Sequence, residues 1–284
     1  MIDLHTHTTC SDGTDSPLML VKKAASAGIT VLGLADHDST SGWEEATNAL
    51  HSDMQLVLGS EVSCLTEEGI AVHMLGLLFD GKDEEMQRLL ADSRDTRIPR
   101  MRKMIENLQG AGYDITLEDV QSSTPEGATV GRPHLADALV KKKIVKSRDE
   151  AFTDLLNNDS PFYVTHLSPT PEDAIRAIRK AGGVAVIAHP FASRRGQIID
   201  ESTFQSLVTA GLNGIEVYHR DHSEEERNQL IAVARSLDLV ITGSSDYHGT
   251  GKLNQLGENT TDRQEWERLE SMANERRVVQ RWMK

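Results

Sequence analysis

Histidines and carboxylates recur along the chain in positions that suit metal binding. The first pair, His5 and His7, follows a short apolar run directly, and one residue separates the two. On an extended segment these side chains share one face, so that both imidazoles can reach the same ion. A lone histidine at the end of a strand is more often structural. The metal prediction therefore depends on how often the pattern recurs.

Further ionisable groups follow, or lie near, the ends of other apolar runs. With the first pair they make up the set His5, His7, Asp36, His37, Glu61, His73, His189, Asp246 and His248. In a β/α barrel the carboxyl ends of the strands converge on one face, where active sites are built. Imidazoles and carboxylates gathered there would be costly to desolvate unless a cation organised them. Such mixed sets suit Zn, Mn or Fe better than Ca or Mg.

The apolar runs that precede these residues are predicted to be strands of a β/α repeat. Strands are expected at residues 2–4, 31–35, 55–59, 70–78, 184–188, 214–217 and 240–243. Helical periodicity is found at residues 17–27, 43–50, 171–181, 202–210, 224–237 and 264–282. Alternation of this kind indicates parallel β/α units, which predicts a barrel of the α/β class.

A long stretch in the middle of the chain breaks this alternation. From about residue 82 to residue 113 the sequence is charged and its apolar positions have a helical period, and two further short helices are expected at residues 134–142 and 148–157. We expect residues 92–166 to form a small all-helical inserted domain that caps the substrate. The barrel domain with the metal site would then comprise residues 1–91 and 167–284.

Charge and composition narrow the choice of partners. The chain has 30 Lys and Arg against 44 Asp and Glu, a formal net charge of −14, which argues against a surface for duplex DNA. A phosphate-bearing substrate is still compatible, provided that bound metal supplies the positive charge. Two cysteines, no secretory pattern at the start and no long uncharged apolar run predict a cytoplasmic protein without a membrane partner.

Six short motifs resemble the successive motifs of the PHP family (polymerase and histidinol phosphatase). In chain order they are HTHTTCSDG, LADHDST, GSEVS, VHMLG, AVIAHP and GSSDYHG. The resemblance implies a distorted barrel of about seven β/α units. Three further stretches, GRPHLADAL, FYVTHLSP and IEVYHRDHS, are similar to the subgroup that acts on 3′,5′-nucleoside bisphosphates and on the 5′ ends of short RNA.

The resemblance also implies three metal positions that share ligands. The first would be held by His5, His7, Glu61 and Asp246, the second by Glu61, His73 and His189, and the third by Asp12, His37 and His248. Asp12 stands where some relatives have histidine. Asp36 is expected to orient a ligand imidazole. The expected cofactors are two or three divalent ions, with Mn preferred and Fe or Zn as alternatives.

The expected reaction is in-line attack of water on phosphorus, for which the chain needs no nucleophile of its own. Neither a G-x-S-x-G elbow nor a Walker-type loop is present. His222 is a candidate for protonating the leaving oxygen. A second phosphate needs its own cations, and Arg132, His134, Arg194 and Arg195 are the candidates. His134 equally suits a helix start, and the Arg194–Arg195 pair equally suits a solvated loop.

Several functions fit these residues. The preferred one is hydrolysis of the 3′-phosphate of a nucleoside 3′,5′-bisphosphate (pAp to AMP), with trimming of 5′-phosphorylated short RNA as a variant. Histidinol phosphate hydrolysis fits the metal motifs equally but gives no reason for two cationic subsites. A noncatalytic metal-binding module predicts degraded ligand positions, whereas each position here holds a competent ligand. His51 and His219 are expected to be structural or at the surface.

Overall fold

Eight strands form one sheet in the part of the chain that the computed structural model describes, residues 1–193, 196–274 and 278–280. The strands are β1 (Ile2–Asp3), β2 (Val31–Leu34), β3 (Gln55–Leu65), β4 (Ala71–Leu77), β5 (Val184–Ala188), β6 (Gly214–Tyr218), β7 (Val240–Gly243) and β8 (Val279–Gln280). The first seven lie side by side in chain order, and β8 pairs with β3. A bridge between Thr6 and Tyr247 joins the segments after β1 and β7. The sheet is thus a nearly closed, distorted barrel, as predicted.

Helices connect most of the strands and cover the barrel. They are α1 (Pro17–Ser26), α2 (Trp43–Ala49), α3 (Glu84–Asp95), α4 (Arg97–Gly110), α5 (Leu117–Gln121), α6 (Arg132–Lys141), α7 (Arg148–Asp154), α8 (Pro171–Lys180), α9 (Thr203–Ala210), α10 (Glu224–Ser236) and α11 (Arg263–Ser271). Their starts follow capping rules. Before α10, Ser223 accepts from the amide of Glu226, whose carboxylate accepts from the amide of Ser223. Among the described residues, no helix is long and apolar enough to cross a membrane.

The sheet is not parallel throughout, and the expectation of parallel β/α units is wrong for β4. This strand is antiparallel to both of its neighbours, β3 and β5. No helix separates β3 from β4, and an antiparallel pair needs only a short connection. In addition, β3 continues to Leu65, well beyond the predicted end at residue 59. The longer strand carries Glu61 in its middle.

The end of the chain also differs from its prediction. The helix expected at residues 264–282 stops at Ser271, and Val279–Gln280 forms β8 instead. Trp266 and Leu269 of this helix are buried in the same cluster as Ile2 and Val240. The helix therefore ends once its apolar side has covered that part of the core.

Successive side chains along a strand point to opposite faces of the sheet. The apolar side chains of the strands therefore pack in two clusters. Val57 packs in one cluster, and Leu56 and Leu58 pack in the other, as expected for a strand with two buried faces. A third cluster lies in the helical segment and contains residues of α4, α5, α6 and α7. This separate core is compatible with the proposed inserted domain at residues 92–166.

The contact between β1 and β2 leaves no room for a side chain at Gly33. A Cβ added at Gly33 would lie 2.1 Å from the carbonyl oxygen of Leu4. The hydroxyl of Thr6 also donates to the carbonyl of Gly33 over 2.6 Å. Because His5 lies between Leu4 and Thr6, this backbone contact helps to place the first histidine.

We predict that Gly33→Ala lowers the free energy of unfolding by about 1–3 kcal/mol, since the added methyl group forces the two strands apart. Guanidinium denaturation of the metal-free protein measures this change. The matched control is Gly110→Ala, because no atom lies within 4 Å of the Cβ position at the end of α4. That control should be neutral or more stable by up to about 1 kcal/mol. Equal stability of Gly33→Ala and the wild type would contradict the backbone contact.

Candidate metal centre

All the predicted metal ligands lie in one cluster, and most of them follow the carboxyl ends of strands. His5 and His7 follow β1, His37 follows β2, His189 follows β5, and Asp246 and His248 follow β7, while Glu61 and His73 lie within β3 and β4 and Asp12 lies in the loop after His7. The histidine and carboxylate side chains of this set are almost entirely buried, with His37 and His73 the most accessible. The strand-end rule therefore holds for the residues that follow β1, β2, β5 and β7, whereas Glu61 and His73 enter the cluster from the antiparallel pair β3 and β4.

Glu61 lies at the centre of this cluster. Within the described chain, five imidazoles have a ring nitrogen close to its carboxylate. Oε2 is 3.1–3.3 Å from nitrogens of His5, His7 and His37, and Oε1 is 2.8 and 3.1 Å from those of His73 and His189. The two oxygens thus face different sets of histidines, which is the arrangement that a bridging carboxylate requires.

Two aspartates complete the cluster on either side of His7. The Oδ1 atom of Asp246 lies 3.4 Å from Nε2 of His7 and 3.6 Å from Nε2 of His5. The carboxylate of Asp12 lies 3.2 Å from Nε2 of His248 and 3.8 Å from Nε2 of His37. These contacts extend the site from the end of β1 to the loop after β7.

Four overlapping groups of potential ligands occur among the described residues. They are His5, His7 and Glu61; His37, Glu61 and His73; His7, Asp12, His37 and His248; and His5, His189 and Glu216. In each group the ligand atoms lie within 4.8 Å of one another, and Asp246 belongs to none of the four. Here His5, His7 and His37 each belong to two groups, whereas the sequence assigned each of them to one.

The donor set fits divalent ions. Two ligand atoms bound about 2.1 Å from one ion are about 3.0–3.4 Å apart, close to the nitrogen–oxygen separations around Glu61. Moreover, Nδ1 of His37 and Nε2 of His248 are buried and form no hydrogen bond of suitable geometry, although carboxylate oxygens of Glu61 and Asp12 lie 3.1 and 3.2 Å from them. Buried polar atoms are rarely left in this state, and a metal ion would satisfy both.

Electrostatics at the site favour the same interpretation. Burial lowers the pKa of His37 to about 3 and that of His248 to about 4, so both rings are neutral and offer a lone pair. Burial also opposes protonation of His7, but hydrogen bonds to Asp246 and Glu61 outweigh it and raise the pKa of His7 to about 9. A metal cation can take the place of that proton between the two carboxylates.

Asp36 acts on a ligand through an intermediate residue. Its carboxylate accepts from the amide and hydroxyl of Thr8, both at 2.7 Å, and from the hydroxyl of Ser11 at 2.6 Å. The Ser11 hydroxyl in turn lies 3.4 Å from Nδ1 of His7. Asp36 therefore holds the loop between His7 and Asp12 and reaches the imidazole only through Ser11.

His222 lacks structural support for the predicted proton-donor role. Its Nδ1 lies 2.8 Å from the carbonyl of Val217, and its Nε2 accepts from the amide of Phe191 over 3.2 Å. Both ring nitrogens are therefore engaged with backbone groups. His222 ties the end of β6 to the loop after β5, and neither nitrogen is left for a leaving group.

Two residues that the sequence prediction missed border the centre. Glu216 lies 3.0 Å from Nδ1 of His5 through one oxygen and accepts from the amide of His189 through the other. His219, which was expected to be structural or exposed, is buried, and its Nε2 is 3.4 Å from Asp246. Glu216 is an acid within an apolar strand, and His219 follows the end of that strand. The strand-end rule could therefore have identified His219, whereas the only local signal for Glu216 is an acid inside an apolar strand.

The predicted phosphate-binding residues lie in the inserted segment or outside the described residues. The Nη1 atom of Arg132 donates to the carbonyl of Leu156 and to the side-chain oxygen of Asn158, both at 2.7 Å. The Nδ1 atom of His134 accepts from the amide of Gly131 over 3.0 Å and so caps α6, the alternative that the sequence had left open. Arg194 and Arg195 lie outside the described residues.

The helical segment at residues 92–166 also contacts the loops that carry the candidate metal ligands. Arg97 at the start of α4 forms a buried ion pair with Asp38, the residue after His37, and donates to the hydroxyl of Ser63 over 2.8 Å. Arg148 at the start of α7 lies 3.4 Å from the carbonyl of Asp12. These arginines join the helices to the metal centre.

Comparison with known proteins identifies the family. The PHP domain matches residues 3–276. A 3′,5′-nucleoside bisphosphate phosphatase from Chromobacterium violaceum is 32% identical over 252 residues, with 88% of each chain covered. A phosphoribosyl 1,2-cyclic phosphate 1,2-diphosphodiesterase from Eggerthella lenta is 30% identical and covers 90% of this chain and 97% of its own. A 5′-3′ exoribonuclease from Haemophilus influenzae is 31% identical and covers 90% and 93%.

A solved structure agrees with this assignment. A metal-dependent phosphoesterase from Bifidobacterium adolescentis superimposes with a TM-score of 0.90 at 38% identity, and 96% of each chain is covered. The PHP match spans almost the whole chain, and the three relatives described above are named as hydrolases of phosphoric esters. The chain therefore belongs to the PHP family and is a metal-dependent phosphoesterase.

Proposed function

We propose that the chain removes the 3′-phosphate from nucleoside 3′,5′-bisphosphates and that 5′-phosphorylated short RNA is a related substrate. The observation that carries the catalytic part is the buried carboxylate of Glu61, with imidazoles facing each of its two oxygens. The substrate part is supported by similarity to a nucleoside bisphosphate phosphatase and to an exoribonuclease.

In this proposal the cluster holds two or three divalent ions, with Mn preferred. The Glu61 carboxylate joins the first position, with His5, His7 and Asp246, to the second, with His73 and His189. The third position uses Asp12, His37 and His248. The Nδ1 atom of His5 donates to Glu216, so that Nε2 of this ring faces the centre with its lone pair.

The residues of the chain also set the charge of the site. Bound divalent ions supply Lewis-acid stabilisation of a phosphoryl group and acidify the attacking water. Four carboxylates face the centre (Asp12, Glu61, Glu216 and Asp246), so a site with three ions keeps about two net positive charges. A phosphate monoester dianion is neutralised there despite the net charge of −14. No side chain is assigned as a nucleophile, and His222 is not assigned as the acid.

We propose that residues 92–166 form the domain that covers the bound substrate. The supporting observations are the separate apolar core of these helices and the contacts of Arg97 and Arg148 with the loops that carry ligands. The proposal also assigns a cationic subsite to this domain, with Arg132 as its first candidate. A substrate that carries only one phosphate, such as histidinol phosphate, would leave this subsite without a partner.

We propose the cytoplasm as the location of the enzyme. Both cysteines, Cys10 and Cys64, are free in the structure, and Cys64 is buried. Free thiols are the normal state of cysteine in a reducing compartment. The proposal rests on this observation alone.

Replacing the bridging carboxylate provides a direct test of the metal centre. We predict that Glu61→Gln lowers kcat/KM by more than about 100-fold and removes at least one equivalent of bound metal, because a neutral amide is a poor bridge between two cations. Elemental analysis and steady-state kinetics measure the two effects. The matched control is Glu67→Gln, an exposed position in the turn that follows β3. Full metal content in Glu61→Gln would contradict the bridge.

Removal of the metal should affect both activity and stability. We predict that chelation followed by dialysis abolishes hydrolysis and that Mn restores it. Mn should also raise the free energy of unfolding, by about 2.7 kcal/mol when the free ion is at about 100 times its Kd. Activity assays and thermal unfolding with and without Mn measure these changes. Undiminished hydrolysis by protein shown to be metal-free would rule out the proposed centre.

Three substrates discriminate between the proposed functions. We predict that the Mn-loaded protein has a kcat/KM for adenosine 3′,5′-bisphosphate at least about tenfold above that for histidinol phosphate, since charged hydrogen bonds to a second phosphate contribute about 1.5–3 kcal/mol. A 5′-phosphorylated short RNA is the third substrate. If histidinol phosphate is hydrolysed most efficiently, the proposed substrate class is wrong.

A further inference from the structure

The two carboxylate oxygens of Asp246 face different neighbours. Oδ1 lies 3.4 Å from Nε2 of His7 and 3.6 Å from Nε2 of His5, the imidazoles of the first proposed metal position. Oδ2 lies 3.4 Å from Nε2 of His219 and 2.9 Å from Nζ of Lys252. The His219 side chain is fully buried, whereas Lys252 is partly exposed. One oxygen thus faces the proposed ion, and the other faces two basic side chains.

The second ring nitrogen of His219 shows which nitrogen carries the hydrogen. Nδ1 accepts a hydrogen bond from the backbone amide of Asp221 over 3.0 Å. Because a nitrogen that accepts from an amide carries no hydrogen, the hydrogen of this ring is on Nε2. Nε2 therefore donates to Oδ2 of Asp246. In this tautomer Nε2 has no lone pair for an ion, so His219 is not itself a ligand.

The turn after β6 holds the ring of His219 in this orientation. The carbonyl of His219 accepts from Nη2 of Arg227 on α10 over 2.7 Å and from the amide of His222 over 3.2 Å. The ring centroid lies 5.1 Å from that of His189, a ligand of the second proposed position, and 5.7 Å from that of His222. A ring packed in this way cannot turn Nε2 away from Asp246 unless its neighbours also move.

The backbone around Asp246 is held as well. Asp246 has a φ of +52°, a left-handed conformation that residues other than glycine keep only where their surroundings fix it. The amide of Ser245 donates to Asp3 over 3.0 Å, and its carbonyl accepts from Asn254 over 2.7 Å. The carbonyl of Asp246 lies 2.7 Å from Nδ1 of His248. Rotation of the carboxylate is the freedom that remains, and the contacts of Oδ2 restrict it.

We propose that His219 is a positioning residue of the metal centre: it holds Oδ2 of Asp246, so that Oδ1 is the oxygen presented to an ion. Lys252 is the second donor to the same oxygen. A carboxylate with one oxygen held in this way binds an ion through a single atom, whereas an unrestrained carboxylate binds through one or both. His219 acts through Asp246 and needs no contact with the substrate. The inference rests on the first metal position of the proposed function.

The test compares two replacements of His219 that differ in one hydrogen bond. Glutamine can place an N–H group where Nε2 of His219 lies, whereas phenylalanine keeps a ring but has no donor. Both lose the acceptor for the amide of Asp221. We expect His219→Phe to raise the Kd for Mn at one position by about 10- to 100-fold and His219→Gln to stay within about threefold of the wild type. Calorimetry on metal-free, full-length protein measures Kd, and His51→Phe, at an exposed histidine, is the control.

A second comparison shows whether His219 acts through Asp246. In an Asp246→Ala background, His219→Phe should cause no further loss of Mn affinity, because the acceptor of its hydrogen bond is already absent. A further tenfold loss there would overturn the proposal. Equal Kd values for His219→Phe and the wild type would do the same, as would equal losses in the two His219 variants. Lys252 is not replaced, since removal of a positive charge beside the ions strengthens their binding and masks a lost hydrogen bond.

A measurement on the wild type does not depend on the folding of any variant. Nitrogen NMR of the Zn-loaded protein, labelled at its histidine rings, should show the hydrogen of His219 on Nε2, and a hydrogen on Nδ1 would overturn the proposal. If the wild type binds Mn but hydrolyses no nucleotide, the proposed substrate class is wrong, and the Kd values still decide the role of His219. If the wild type binds no divalent ion, the proposed centre and the role of His219 both fail.

Discussion

The structure depends on the burial of a carboxylate among imidazoles. Glu61 is almost completely shielded from water, and the nearest charged or polar groups around it are histidines. Burial raises the pKa of a carboxyl group, but the surrounding imidazoles, first His37 and then His73, outweigh this effect and hold the pKa of Glu61 well below its usual range. A buried charge of this kind is tolerated only when its partners are fixed in place. The barrel meets this requirement by taking the partners from four strands, with His5 and His7 after β1, His37 after β2, His189 after β5 and His73 within β4.

The antiparallel β3–β4 pair explains how Glu61 reaches the middle of the cluster. In a regular parallel barrel the chain would leave β3 near Gly59 and turn into a helix. Here β3 continues through Glu61 to Leu65, and β4 returns beside it with His73 opposite Ser63. The extension places a carboxylate and an imidazole further into the site than a loop would, on a rigid pair of strands. The irregularity of the sheet is thus part of the construction of the site.

Much of the barrel and of the candidate ligand set could be predicted, because both follow from local patterns. Apolar runs with polar ends identify strands. Residues such as His37 or His189 directly follow such runs, and they can therefore be placed at the ends of strands. Contacts made across the fold have no local signature. For that reason the hydrogen bond of Glu216 to His5 was missed, and the backbone partners of His222 were not foreseen. The terminal helix was extended too far because periodicity cannot show where the core is already covered, as it is after Trp266 and Leu269.

The docking of the helical segment has a thermodynamic consequence for the whole molecule. Arg97 connects these helices to Asp38, beside His37, and Arg148 connects them to the backbone of Asp12 and, over 3.4 Å, to that of Gly251. In the proposed function these helices also carry Arg132, the candidate contact for a second anionic group of the substrate. If a ligand binds there, ion binding at the centre and ligand binding at the helical segment are linked equilibria. By thermodynamic reciprocity, if bound ions strengthen ligand binding by a given free energy, the bound ligand strengthens ion binding by the same amount.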